Sequence, residues 1–382
     1  MKAAEGLQNR EVKHAGRCKK TEEWQRADVF EMLANAGGGC RSSGSFRDCC
    51  GAVGGRKKQK PFDVQYLTYF DTVTSITIYA EDEEQFAKWE QLVHSELERY
   101  HQLYDIYHSY EGVNNIKVIN DHAGMSPVEV SEDILDLLEF SLKEYELTKG
   151  GVHVGMGSVL SIWHDYREMA LGESKFPMVP SMDELESAAK HMNIQDIHLD
   201  RQAGTVFLAD PEMRLDVGAV AKGYTAQRLA DTLRKSGVTN ALLSLGGNVV
   251  TIGARGDGKP WRVGIQNPDL GAENPYVQVV DLADMCLVTS GTYQRFYEVD
   301  GKRYHHIINP ELLMPWNEYQ SVTILSPDSG EADALSTAVF NMKLEDGLSL
   351  IESLDKTEAL WILPDGSQIE SSGFRAYTEE GR

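Results

Sequence analysis

The chain has 382 residues, 41% of them hydrophobic and 25% charged, with a formal net charge of -22. That is enough apolar material for a sizeable core, in one large domain or two lobes. So acidic a balance weighs against nucleic-acid binding, because little in it would recover counterion-release energy along a phosphate backbone; an anionic ligand would need local help from a divalent cation and oriented amides.

The charge is uneven. Residues 1–60 hold 13 Lys and Arg against 7 Asp and Glu, which leaves the remainder near -28. The same segment carries Cys18, Cys40, Cys49 and Cys50, the glycine clusters 37–39 and 51–55, and the basic run Arg56-Lys-Lys-Gln-Lys60. Without sustained periodicity it reads as a disordered tail, 1–60, ahead of a folded domain, 61–382. The cysteine spacing lacks a Cys-x-x-Cys pair and so does not suit zinc. Asp28, Glu31 and Asn35 interrupt the stretch Ala27–Ala36 where an export signal needs roughly 7 to 15 apolar residues. With no apolar run of about 18 residues either, the chain reads as soluble.

From Pro61 the elements alternate. Val64–Tyr79, rich in β-branched and aromatic residues, predicts a long strand or a hairpin. Glu84–Tyr104 places Phe86, Trp89, Leu92, Val93, Leu97 and Tyr100 at helical spacing. Ser131 is a candidate cap for a helix running through Leu147 to Gly150, and Lys222–Ser236 is a third helix, closed by Gly237. Short strand-like runs follow at Ala241–Leu245, Val249–Ile252, Trp261–Ile265, Tyr276–Leu282, Met285–Thr289, Arg295–Val299 and Tyr304–Ile308. Val299-Asp-Gly-Lys302 suits a two-residue hairpin loop. A final strand, Ser321–Leu325, leads into a helix carrying Asp333. The mixture predicts an α+β fold rather than a strictly alternating parallel sheet.

Three segments carry chemistry. Arg214-Leu-Asp-Val-Gly-Ala-Val-Ala-Lys-Gly-Tyr224 joins an apolar run to a helix start through small residues, which lets a ligand approach the backbone and the helix-opening amides. Leu245-Gly-Gly-Asn248 is a second small-residue turn. In Ala332-Asp-Ala-Leu-Ser-Thr-Ala338 the carboxylate of Asp333 and the hydroxyl of Thr337 stand four apart on one helix face, a pairing that suits magnesium or a solvated surface. Lys222 can meet a phosphate or stay solvated in the first helical turn, where the dipole disfavours it. Asp216 can accept from a ligand hydroxyl or pin its own loop. Of His305 and His306, adjacent at a strand end, one points inward and the other outward.

These segments, with Pro260-Trp-Arg-Val-Gly-Ile265, Ser290-Gly-Thr-Tyr293 and Tyr304-His-His-Ile-Ile-Asn-Pro310, occur in the order seen in the ApbE family, and the chain from about Tyr66 onward resembles an FAD:protein FMN transferase. The resemblance implies a T-fold-like arrangement of mixed sheets with packed helices. It also implies magnesium-dependent transfer of the FMN half of FAD to a threonine or serine of a target protein, with release of AMP. Targets would be flavin-bearing subunits of membrane redox pumps and other electron-transfer proteins. By motif position the metal would be held by the carbonyl of Ala219 and the side chains of Asp333 and Thr337. FAD would meet Phe70, Tyr107, Val152, His153, Asp216, Lys222 and Ile307, and His306 would act as base. Phe70-Asp-Thr72 stands where Met-Gly-Thr is usual, Val152-His-Val154 where Phe/Leu-Asp-Ile is, and Asn248 and Asn309 each replace a common aspartate. A magnesium-dependent FAD pyrophosphatase and a non-catalytic FAD-binding protein are the alternatives.

Overall fold

The computed structural model describes residues 59–172 and 177–381. The four cysteines of the opening segment lie outside them, and Cys286, the fifth, is buried and free.

The first strands form a hairpin, β1 (Lys60–Tyr66) and β2 (Thr74–Ala80). Its loop contains Phe70 and Asp71, both in the left-handed region at φ 54° and 50°. Helix α1 (Glu83–Tyr104) starts where the Asp82 side chain accepts the Gln85 amide, and it buries Trp89, Val93, Leu97 and Tyr100 on one face. Then come α2 (Ile116–Asp121), β3 (Val128–Glu129) and α3 (Glu132–Leu147), the last without a side-chain cap from Ser131. Helices α4 (Gly157–Leu171) and α5 (Met182–Ala189) precede strands β4 (Ile197–Asp200) and β5 (Thr205–Leu208).

After α6 (Ala221–Lys235) the chain turns to β structure: β6 (Ala241–Leu245), β7 (Asn248–Ile252), β8 (Trp261–Gln266), β9 (Tyr276–Leu282), β10 (Cys286–Gly291), β11 (Phe296–Val299), β12 (Lys302–His305) and β13 (Ser321–Ser326). The strand expected over Tyr304–Ile308 stops at His305, where the chain turns towards Pro310; Ile308 keeps only a bridge to Pro315. Helices α7 (Ser329–Phe340) and α8 (Leu344–Glu352) and strands β14 (Glu358–Ile362) and β15 (Gln368–Glu370) follow.

Eight strands make the main sheet, in the order β1-β2-β6-β7-β10-β13-β14-β15, with every neighbouring pair antiparallel. Its centre is covered on both faces, so β7 and β13 are buried at every position. Alternation sorts their side chains: Val249, Leu287 and Leu325 pack with Trp261, Val263 and Val280 of the β8–β9 hairpin, while Val250 packs with α1 and α6, and Val322 and Ile324 with α7. The fold is α+β, as the pattern of elements predicts. Among the described residues no helix is long and apolar enough to cross a membrane.

Candidate active site

Between β5 and α6 the backbone is tied down step by step. Leu215 and the Asn120 side chain exchange hydrogen bonds of 2.7 and 3.0 Å, and the Asp216 amide donates to the Val154 carbonyl at 2.8 Å. Asp216 then turns the chain itself, its Oδ1 accepting the Gly218 amide at 2.8 Å. Helix α6 starts on Val217, whose carbonyl takes the amides of Val220 and Ala221 at 3.0 and 2.8 Å. The Gly223 amide goes elsewhere, to Asp333 Oδ2 on α7 at 2.8 Å. The amides of Gly218, Val220, Ala221 and Gly223 are therefore taken up within the protein, the last by its own carboxylate.

Only glycine permits that contact. A Cβ at position 223 would lie 2.2 Å from the Ser329 carbonyl oxygen and 2.4 Å from Asp333 Cβ, so α6 and α7 cross at backbone distance. In the turn Gly246-Gly247 only the first glycine is likewise packed on protein: a Cβ at 246 would strike Thr72 Oγ1 at 2.4 Å, whereas one at 247 would meet open space.

Asp333 is 4% exposed, and burial pushes its carboxyl above the usual range, opposed by Lys222, the Gly223 amide and Asn248. Asn248 is close enough to stabilise the carboxylate, yet its buried Nδ2 completes no hydrogen bond. Thr337 is half-buried one turn further along α7. Lys222 Nζ reaches back to the Gly218 carbonyl at 3.3 Å, and its charge acts on Asp216, Asp333 and His306 together. Asp216, half-buried, is also raised by desolvation, against the pull of the Gly218 amide, His164 and Lys222.

The two histidines divide as strand alternation requires. His305 is 2% exposed, with Nε2 on the Trp316 carbonyl at 2.8 Å and Nδ1 accepting the Ile307 amide at 3.2 Å. His306 is exposed, and both its amide and its Nδ1 lie on the Arg295 carbonyl, at 3.1 and 3.2 Å. A carbonyl only accepts, so Nδ1 carries the proton and the lone pair is on Nε2. Desolvation by the surrounding walls, then Arg295, His305 and Lys222, hold the ring well below the ordinary imidazole range. Because the ring is solvent-accessible, the positive neighbours are the firmer cause. Tyr107, 51% exposed, tilts against His164 with ring centroids 5.1 Å apart, and its hydroxyl is pushed up to about 12 by desolvation and then by Asp216.

The model of the ApbE family matches residues 70–361. The chain belongs to the ApbE family. One ApbE relative, the FAD:protein FMN transferase of Treponema pallidum, is 34% identical over 275 residues, 68% of this chain and 73% of that protein. Another, from Klebsiella pneumoniae and of the same name, is 32% identical over 301 residues, 78% and 89% of the two chains. The solved ApbE protein of Thermotoga maritima matches with a TM-score of 0.74 at 26% identity, covering 84% of this chain and 100% of its own. The flavin transferase ApbE of Vibrio cholerae matches at 0.69 and 25% identity, covering 83% and 100%.

Of the residues the ApbE resemblance singles out, Asp216, Lys222, His306 and Asp333 are electrostatic neighbours, Tyr107 joins them through Asp216, and Ala219 lies in the bend itself. Phe70 is half-buried, its ring edge-on to His101 at 5.6 Å. Val152 and Ile307 do not present side chains to this group: both are core residues, and their amides are bonded to Thr148 Oγ1 and His305 Nδ1. His153 turns its Nδ1 to the Gly155 amide at 3.2 Å and its ring edge to Tyr145 at 4.9 Å. Arg167, Arg295 and His164 belong to the group and are absent from the motif reading. The Asp300-Gly301 hairpin was a usable signal, since its register, Phe296 against His305, sets Arg295 opposite His306.

Proposed function

We propose that this chain, a transferase by family, moves the FMN half of FAD onto a threonine or serine hydroxyl of an acceptor protein with release of AMP, using magnesium. Asp333 carries the reading. It is a buried carboxylate with one oxygen on the Gly223 amide and Lys222 beside it, on the helix that crosses α6 one turn after the glycine-alanine bend. Among the described residues no three His, Cys, Asp or Glu side chains gather to hold a metal. Magnesium does not need such a cluster, because one carboxylate, the Thr337 hydroxyl and the Ala219 carbonyl are hard oxygen donors that water and substrate phosphate would complete. When bound there, the ion would neutralise charge on the pyrophosphate.

The chain's own groups account for the rest. Lys222 offers its ammonium to the phosphates, and the second oxygen of Asp216 accepts from the ligand. Phe70 and the exposed ring of Tyr107 offer aromatic surface to the isoalloxazine. His306 Nε2 takes the acceptor's hydroxyl proton as that oxygen bonds to the flavin-side phosphorus, while the bond from this phosphorus to the bridging oxygen breaks and AMP leaves. Flavin-bearing subunits of redox pumps and related electron-transfer proteins are the acceptor class that fits.

The test is to incubate the purified full chain with FAD, magnesium chloride and candidate acceptor domains. Acceptor fluorescence on a denaturing gel with matching AMP is expected. AMP without labelled acceptor would make the chain a pyrophosphatase, and retained FAD without AMP a binding protein; either outcome overturns transfer.

A further inference from the structure

Arg295 holds His306 through its carbonyl, but among the described residues its guanidinium makes no hydrogen bond and no ion pair. A second arginine is brought next to it by packing. Helix α4 rests on the β11–β12 hairpin, with Trp163 stacked on Tyr304 at 6.0 Å and Tyr166 in the same cluster as Tyr297. Arg167, on that helix, lies 3.2 Å from His164 Nδ1 through its Nη2 and 3.3 Å from the exposed Glu168. Desolvation by the surrounding walls and then the charge of Arg167 hold Arg295, itself exposed, below the usual guanidinium range, and the Tyr107 hydroxyl feels both arginines. Asp71 is the carboxylate within electrostatic reach of Arg295, and it stops short of an ion pair.

A chain of net charge -22 thus keeps two guanidiniums within electrostatic reach of each other and leaves the exposed one, Arg295, without a bonded counter-charge among the described residues. Holding like charges together costs free energy that a bound anion offsets. We propose that Arg295 and Arg167 form an anion subsite that grips the pyrophosphate of the dinucleotide, additional to Lys222, and that they select phosphorylated over unphosphorylated flavin. Arginine suits this because its planar fork meets two oxygens at once. The proposal rests on the flavin-transfer reading.

The experiment measures FAD and riboflavin affinity by flavin fluorescence, without magnesium, for the full chain and for Arg295→Gln, Arg167→Gln and Arg295→Lys, with thermal unfolding of each. Each glutamine variant is expected to weaken FAD binding roughly tenfold to a hundredfold with an unchanged unfolding midpoint. Riboflavin binding should stay at the unsubstituted level, and Arg295→Lys should recover part of the FAD affinity. FAD binding equal to that of the unsubstituted chain overturns the subsite, as does a loss shared by riboflavin or accompanied by a lower midpoint. If the unsubstituted chain binds FAD only once magnesium is added, the subsite is overturned while the flavin reading stands; no FAD binding with magnesium sinks both.

Discussion

The two sides of the candidate site are built on opposite principles. Where α6 meets α7, backbone touches backbone: Gly223 has no room for one more carbon, and the Asp333 carboxylate is held by a buried amide. The other wall consists of long or ring-bearing side chains, Tyr107, His164, Arg167, Arg295 and His306, drawn from separate elements and partly open to water. The contrast suggests a division of labour, in which the crossing fixes a charge in place without adjustable parts and the wall can re-aim around a bulky ligand.

Each side can be broken separately. Asp333→Ala should lower magnesium-dependent AMP release on the order of a hundredfold or more, while costing about 1 kcal/mol in stability for the lost cap. Activity close to that of the unsubstituted chain would remove the crossing from the chemistry. Gly223→Ala forces the helices apart and should cost about 3 kcal/mol, read from urea unfolding; a variant as stable as its parent would mean the crossing is softer than its distances imply.

Glu144 probes the far side of the same packing. It is fully buried on α3, with no hydrogen bond to either oxygen and the Lys143 ammonium 3.9 Å away. Burial, then Glu331, raise its pKa to about 7 from an ordinary 4.5. The folded state therefore favours the protonated form. Its contribution is fully present below the unfolded pKa and is lost as pH rises through about 7. Glu144→Gln should gain about 2 kcal/mol at alkaline pH and nothing at acid pH; equal unfolding midpoints at both pH values would show that water reaches the carboxyl. The smallest effect is expected from deleting residues 1–58. FAD affinity should not change, and a loss of about tenfold would assign that segment to the wall.

What could be read from the residues followed locality. The long helix Glu83–Tyr104 and the strands from Ala241 to Leu282 are legible to within a residue or two, because amphipathic spacing and Gly, Asp and Pro punctuation act over short stretches. Strand partners were not: β2 pairs with β6 and β10 with β13, across intervening helices and hairpins that leave no mark on either strand's pattern. The same limit applies to the site. The motifs pointed to Asp216, Lys222 and Asp333, but the amides of Ala221 and Gly223 at the start of α6 turn out to be bonded, the second of them to a carboxylate 110 positions away. Arg167 and Arg295 looked like any solvated charges, since an arginine's role lies in what folds up beside it. Hairpin counting would have found only the second.

The bond between Gly223 and Asp333 also has a temporal meaning. During synthesis α6 emerges well before the residue that closes its first turn, and every intermediate length of nascent chain carries that turn unsealed. The proposed cation uptake at this point would then act as a stamp of completion, available only once the chain through Asp333 has folded onto α6.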